Sequence, residues 1–200
     1  MSRSFRTLVL DGSPHPNGDS MNLVRVMLAV FGGGGDFIRL YRDTPRPCRA
    51  CGACASGLPC LLDNALDGFR ERLERADFLL AASPLHFSSL SAPLVAFFSR
   101  LQPFWQASRR GERILFPERR LAALATAGGS DYPNMFEPAR KVAAAAFATL
   151  GIPFAGMATA SGTDRLPAAQ NSAALAFAAG LAEEMALRAE NPKPGAAGRE

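Results

Sequence analysis

The stretch Arg6-Thr7-Leu8-Val9-Leu10-Asp11-Gly12-Ser13-Pro14, near the start of the chain, decides the fold class. Its first five residues form an apolar run with a β-branched centre, which is typical of a buried strand, and the next four end that strand in a loop. After the loop, Ser20 is placed to cap a helix. The apolar residues of this helix recur at the helical period, at Leu23, Val24, Met27, Leu28 and Phe31. A buried strand followed by an amphipathic helix is the first half of a βαβ unit.

The same alternation of strand and helix continues along the chain. Further strands are predicted at 37–41, 77–82, 120–126 and 154–160, and further helices at 63–76, 93–105, 137–150 and 168–189. Such alternation indicates a parallel sheet with helices on both faces. We therefore predict one three-layer α/β domain over residues 1–190, with a five-stranded sheet in the flavodoxin-like order 2-1-3-4-5. Residues 191–200, rich in Pro, Gly and Ala, are expected to form a disordered tail.

Composition narrows the class of partner. The 200 residues carry a formal net charge of +4, with the basic side chains spread along the chain, which argues against nucleic acid and is compatible with an anionic ligand. No apolar run approaches the roughly 18 residues that would cross a bilayer, and no secretory signal is recognisable at the start. We expect a soluble, cytoplasmic protein that does not bind membranes.

All four cysteines lie in the loop 47–61, with the spacing C-x2-C-x2-C-x5-C. A tight run of three cysteines followed by a fourth is typical of iron–sulfur ligation. Structural zinc fits less well, because it usually takes two C-x2-C pairs from separated segments. Cysteines with no bound metal are the third interpretation, and structural disulfides are not expected in a reducing compartment. The candidate metal ligands are Cys48, Cys51, Cys54 and Cys60.

Three loops follow predicted strands at the carboxyl edge of the sheet, where ligands bind in this fold. The first, residues 12–21, has glycines, hydroxyls and a helix N-terminus, which together suit a phosphate. It lacks both the Lys-Ser/Thr end of a nucleotide P-loop and G-x-G-x-x-G, so ATP and dinucleotides are not favoured, and an ordinary β–α turn is the alternative. The second, 83–91, and the third, 126–132, suit a flat ring. Together they predict a crevice for a phosphorylated ring system.

Three segments, 8–20, 47–60 and 77–87, resemble the NADPH-dependent FMN reductase superfamily and, within it, the iron-sulfur flavoproteins. The resemblance implies FMN, a [4Fe-4S] cluster on the four cysteines, and NAD(P)H as electron donor. Contacts to the FMN phosphate are implied for Ser13, His15, Asn17, Asp19, Ser20 and Met21. Contacts to the flavin ring are implied on one flank for Pro84, Leu85, His86, Phe87 and Ser88, and on the other for Thr126, Ala127, Gly128 and Gly129. The chain departs from the family pattern at His15, Asp19 and His86, where Arg, Asn and Tyr are frequent.

Two functions agree with these features. The first is an FMN-dependent oxidoreductase that moves electrons to a small-molecule or protein acceptor; its chemistry belongs to the cofactor, so no catalytic side chain is named. The second is an electron carrier without a substrate of its own, which serves a protein partner. An aromatic-rich helix at 94–105, together with the habit of similar proteins, predicts a homodimer or homotetramer.

Overall fold

The computed structural model describes residues 4–62, 67–112 and 120–191. Its centre is a sheet of five parallel strands in the order β2-β1-β3-β4-β5, which confirms the predicted topology. The strands are β1 (Thr7–Asp11), β2 (Asp36–Arg39), β3 (Phe78–Pro84), β4 (Leu121–Ala127) and β5 (Phe154–Ala160). The predicted tail, from residue 192 onward, and the start of the helix predicted at 63–76 lie outside the described residues.

Six helices of the described chain cover the sheet. They are α1 (Asp19–Val30), α2 (Asp67–Arg75), α3 (Ala92–Ser99), α4 (Gln102–Arg109), α5 (Glu137–Thr149) and α6 (Ser172–Glu190), with short 3₁₀ turns at Ala53–Ser56 and Ala168–Gln170. Helices α1 and α6 pack on one face, and α2 to α5 pack on the other. None of the described helices has both the length and the apolar content that crossing a bilayer requires.

Burial on both faces explains the apolar character of the central strands. Every residue of β1 and β4 is buried. In β1, Val9 packs in the layer of α1 and α6, whereas Leu8 and Leu10 pack in the layer of α2 to α5. Successive side chains of a strand point to opposite faces, so a strand that is covered on both sides favours apolar residues at consecutive positions, as at Leu8, Val9 and Leu10.

The helix predicted at 93–105 is two helices, and this prediction was wrong. Helix α3 ends at Ser99, and the backbone N–H groups of Arg100 and Leu101 donate to carbonyls three residues back rather than four. Pro103 has no N–H to continue the ladder, and it sits at the start of α4. The break leaves Ser99 and Arg100 at a helix end, from which they reach the cysteine loop.

Two helix starts also differ from the prediction. Gly18, not Ser20, is the N-cap of α1, and Ser20 lies inside the first turn with its side chain buried. The last helix starts at Ser172 rather than 168, because the Asn171 side chain accepts a hydrogen bond from Ala174 N at 3.1 Å and caps it there.

Candidate functional site

The carboxyl ends of β1, β3 and β4 place three loops side by side, as the sequence predicted. Hydrogen bonds join each loop to its neighbour: Gly12 N donates to Ala82 O at 2.9 Å, and Leu85 N donates to Ala127 O at 2.7 Å. Ser91, at the end of the second loop, donates from Oγ to Gly12 O at 2.7 Å. The three loops therefore form one connected rim at the edge of the sheet.

The first loop has the geometry of an anion site. Ser13 Oγ and Gly18 N both donate to His15 O, each at 3.0 Å, and fold the loop back on itself. Gly18 is the N-cap of helix α1 and makes no side-chain cap hydrogen bond. The first N–H groups of a helix have no partner within it, so those of α1 are available to a ligand. Of the predicted phosphate contacts, Ser13, Ser20 and Met21 are buried, and His15 and Asn17 are exposed.

Arg25 is a basic residue at this loop that the sequence analysis missed. Its guanidinium donates to Asn17 Oδ1 at 2.6 Å, to Asn22 Oδ1 at 2.8 Å and to Pro16 O. Helical spacing was the available signal, because Asn22 lies three residues before Arg25 and directly follows the loop. The side chain brings a positive charge to a loop in which the frequent Arg is replaced by His15.

Asp19 turns its carboxylate away from the first loop. Oδ1 accepts a hydrogen bond from Ala168 N at 2.6 Å, which ties α1 to the turn before α6. The group that Asp19 can offer to an anion is therefore its backbone N–H in the first turn of α1. The Asp19 carboxylate is thus engaged by the chain itself rather than left to face the first loop.

The sequence analysis also missed an ion pair beneath the first loop, between Asp11 and Arg39. Asp11 ends β1 with its carboxylate buried, accepts from Ser13 N at 3.0 Å and pairs with Arg39 Nη1 at 2.9 Å. Burial raises the pKa of Asp11 above its ordinary value of 3.8, while the Ser13 N–H and the Arg39 guanidinium oppose that rise. The Asp11 carboxylate thus holds Ser13 at the start of the first loop, although burial makes its charged form less favourable than it is in water.

We expect Asp11→Asn to change how stability depends on pH. Because the folded-state pKa of Asp11 is raised, the folded chain holds more protons than the unfolded chain between pH 3.8 and that higher value. The contribution of Asp11 to the free energy of unfolding is therefore greatest below this pH window and declines as pH rises through the window. Urea unfolding of both proteins from about pH 3.5 to about pH 7 should show wild type losing stability relative to the variant. If wild type instead gained stability relative to the variant as pH rises, the Arg39 guanidinium would lower the pKa of Asp11 by more than burial raises it.

The second loop is a tight hairpin with an exposed aromatic tip. His86 and Ser89 exchange two backbone hydrogen bonds of 2.9 Å, and the two residues between them, Phe87 and Ser88, have φ values of 50° and 60°. Two consecutive positive φ values define a type I′ turn, a conformation that is costly for residues other than Gly, Asn and Asp. The Phe87 ring is fully exposed. Backbone strain beneath an exposed ring favours a binding role for the ring.

The third loop is tied to the second. Ser88 Oγ and Tyr132 OH lie 2.6 Å apart and form a hydrogen bond, a contact that sequence reasoning did not foresee. Gly128 and Gly129, two of the implied ring contacts, lie close to other side chains of the same chain. A Cβ on Gly128 would lie 2.6 Å from Met135 Cε, and one on Gly129 would lie 2.4 Å from the Asp164 carboxylate. Thr126 and Ala127 are buried in β4 beneath them.

The four cysteines line a single cavity of about 420 Å³ between their loop and the start of α4. All four thiols are free; Cys48 and Cys51 are exposed, and Cys54 and Cys60 are partly buried. Among the described residues, no group of three or more His, Cys, Asp or Glu side chains is arranged to hold a metal ion. The structure thus brings the predicted ligands to one cavity without gathering them around one point.

Several N–H donors face the sulfurs. Ala50 N donates to Cys48 Sγ at 3.4 Å, and Arg100 Nη2 donates to Cys60 Sγ at 3.5 Å. The Ala53 N–H, with a smaller contribution from Arg49, holds the pKa of Cys51 below its ordinary value of 9.0. Donors of this kind stabilise thiolates, the form of cysteine that binds metals.

Comparisons with known proteins agree with this geometry. The sequence profile of the family described as NADPH-dependent FMN reductase matches residues 5–163. An iron-sulfur flavoprotein of Methanocaldococcus jannaschii is 29% identical over 102 residues, which make up 50% of this chain and 53% of that protein. An iron-sulfur flavoprotein of Methanosarcina thermophila is 29% identical over 94 residues, 46% of this chain and 49% of that protein. The chain thus spans about half the length of these curated relatives.

Solved structures support the fold. The NAD(P)H:quinone oxidoreductase of Methanothermobacter marburgensis superposes with a TM-score of 0.67 at 19% sequence identity, and the superposition covers 91% of this chain and 96% of that one. At this level of identity, the likeness establishes the arrangement of strands and helices. It agrees with the sheet order found in this chain.

Proposed function

The chain belongs to the NADPH-dependent FMN reductase family, and on this premise we propose that it is an FMN-dependent oxidoreductase that takes electrons from NAD(P)H. The observation that carries the proposal is the connected rim of three loops at the carboxyl edge of the sheet, where the Ser91 Oγ to Gly12 O bond joins the phosphate loop to the second loop. The proposed acceptor is a small molecule or a protein, and the proposed compartment is the cytoplasm, where free thiols persist.

The residues of the rim fit FMN. The uncapped start of α1 and the nearby Arg25 guanidinium suit the dianionic phosphate. The second loop offers an aromatic ring and a strained backbone for one flank of the flavin, and the third loop closes against it through Tyr132. We propose that the implied phosphate and ring contacts of the sequence analysis are made here, with Asp19 contributing only its backbone.

When bound, FMN supplies the chemistry, because it accepts a hydride and releases electrons singly or in pairs. The residues of the chain bind and orient it. Helix α1 and the first loop would hold the phosphate, and the Ser88 to Tyr132 bond keeps the second and third loops together. The exposed Phe87 ring would pack against the flavin and exclude water there.

Among metal centres, the cysteine spacing favours a [4Fe-4S] cluster over a single zinc ion. Four thiols line the cavity, and three of them come from one tight C-x2-C-x2-C run, whereas structural zinc usually takes two C-x2-C pairs from separated segments. N–H donors to Cys48 and Cys60 resemble the hydrogen bonds that tune cluster sulfurs. We propose that Cys48, Cys51, Cys54 and Cys60 hold the cluster, which supplies single-electron transfer. Exposure of Cys48 and Cys51 also supports the second candidate, a carrier that exchanges electrons with a protein partner.

The decisive experiment is the absorption spectrum of anaerobically purified protein before and after dithionite, with iron, acid-labile sulfide and NADPH turnover measured on the same sample. A flavin spectrum with near-equal iron and sulfide and steady NADPH oxidation would support the full proposal. Flavin without iron would leave an FMN reductase whose cysteines have another role. Reduction by a protein donor, with no NADPH oxidation, would favour the carrier.

Self-association remains part of the proposal. The phenylalanines of the 94–105 segment, at 97, 98 and 104, are buried within the chain, so they cannot form a contact between subunits. Val95 and Trp105 are partly exposed on α3 and α4 and are the residues of that segment left for a homodimer or homotetramer. Light scattering that gives the mass of a single chain would contradict it.

We expect Phe87→Ala to weaken FMN binding without affecting stability. The ring is exposed, so its loss should change the free energy of unfolding by less than about 0.5 kcal/mol. An aromatic contact is worth about 1 kcal/mol, which corresponds to a Kd for FMN about fivefold higher. Phe177→Ala is the matched control, since Phe177 is an exposed phenylalanine on α6. Fluorescence titration with FMN and urea unfolding measure the two effects; equal Kd values for both variants would exclude Phe87 from the flavin site.

A further inference from the structure

Helix α3 connects the two proposed redox sites. At its start, Ser91 Oγ donates to Gly12 O in the first loop, and Ser91 N donates to Ser83 Oγ at 2.8 Å below the second loop. At its end, Ser99 Oγ accepts from Cys48 N at 2.9 Å. The helix has eight residues, so about 12 Å separates its ends. A single rigid element thus sets the spacing between the flavin loops and the cysteines.

Arg100, directly after α3, is the second attachment of this helix end to the cysteine loop. It is only 1% exposed, which is unusual for arginine. Nη1 donates to Arg46 O at 3.1 Å, just before Cys48, and Nη2 donates to Cys60 Sγ at 3.5 Å. One guanidinium therefore binds both ends of the loop that carries all four thiols.

We propose that Arg100 is a positioning residue for the cysteine ligands and that its guanidinium fixes the position of Cys60 relative to Cys48. This inference rests on the proposed cluster site and extends it to a residue outside the cysteine motif. Arginine suits the task because its planar fork presents donors in two directions, whereas lysine is a single point charge. The N–H donated to Cys60 Sγ also favours the more reduced, more negative state of a bound cluster, so it raises the reduction potential.

The test compares Arg100→Lys with Arg110→Lys. Arg110 is exposed and donates from Nη1 to Cys54 O at 2.8 Å, so it touches the same loop but no sulfur. In cluster-free protein, amide hydrogen exchange in residues 47–61 should be about tenfold faster in Arg100→Lys than in wild type, with α5 and β4 unchanged. In loaded protein, redox titration followed by electron paramagnetic resonance should show a lower cluster potential and an unchanged FMN potential. Arg110→Lys should alter neither.

The outcomes separate this inference from the proposed function. If the wild-type protein binds no iron, the proposed cluster is overturned. Hydrogen exchange in the cluster-free protein still decides whether Arg100 positions the loop. Unchanged exchange in the loop would overturn the positioning role, as would faster exchange spread equally over α5 and β4. If Arg100→Lys does not fold, Arg100→Gln, which keeps a neutral NH2 donor group without a buried charge, provides the same comparison.

Discussion

Gly12→Ala is expected to lower the free energy of unfolding by about 1–3 kcal/mol, the range for overpacking a filled interior. A Cβ at this position would lie 2.9 Å from Ala82 O, from Leu94 Cβ and from Ser91 Oγ. None of the three can move freely, because the first belongs to β3 and the other two to the start of α3. The added methyl group would push the first loop away from the second.

The same displacement should weaken FMN binding about tenfold, which corresponds to about 1.4 kcal/mol. Gly180→Ala is the matched control. Gly180 lies inside α6 with open space around the position of a Cβ, so the same substitution should raise stability by up to about 1 kcal/mol and leave FMN binding unchanged. Urea unfolding and flavin titration of both variants measure the contrast. A stable Gly12→Ala with normal FMN affinity would show that the first loop tolerates displacement.

The parts of the fold that sequence could predict are those with a strong local signal. Strands β1 and β4 are buried at every position and largely apolar because both faces are covered, and β5 lies at 154–160 as expected. The carboxyl-edge loops follow from the strand order alone, so their meeting could be predicted before any contact was known. The cysteine spacing predicted a common ligand set, and the four thiols line one cavity.

What escaped prediction depends on tertiary contacts. Arg100 falls in a helical pattern where an arginine is normally solvated, but in the fold it is buried and its guanidinium donates to Arg46 O and Cys60 Sγ. The hydrogen bond between Ser88 and Tyr132 joins residues 44 positions apart, which no local pattern encodes. The break between α3 and α4 was not predicted, although Pro103 has no N–H with which to continue a single helix.

Cys51→Ala is expected to remove nearly all iron and acid-labile sulfide from the protein while leaving FMN binding within about twofold, a difference of less than about 0.5 kcal/mol. A four-thiolate cluster loses a corner ligand when one cysteine is replaced. The flavin loops come from β1, β3 and β4, whereas the cysteine loop is held by Ser99 and Arg100 at the far end of α3. The loss should therefore stay local.

Ser56→Ala provides the control for Cys51→Ala, because Ser56 is exposed in the same loop and carries no thiol. It should retain wild-type iron, sulfide and flavin. Loss of iron together with FMN in Cys51→Ala would show that the cysteine loop supports the flavin site through α3. Full iron in Cys51→Ala would contradict the four-cysteine ligand set. Since one helix links both sites, comparing FMN affinity in the Cys51 and Arg100 variants shows whether that helix transmits strain or only sets a distance.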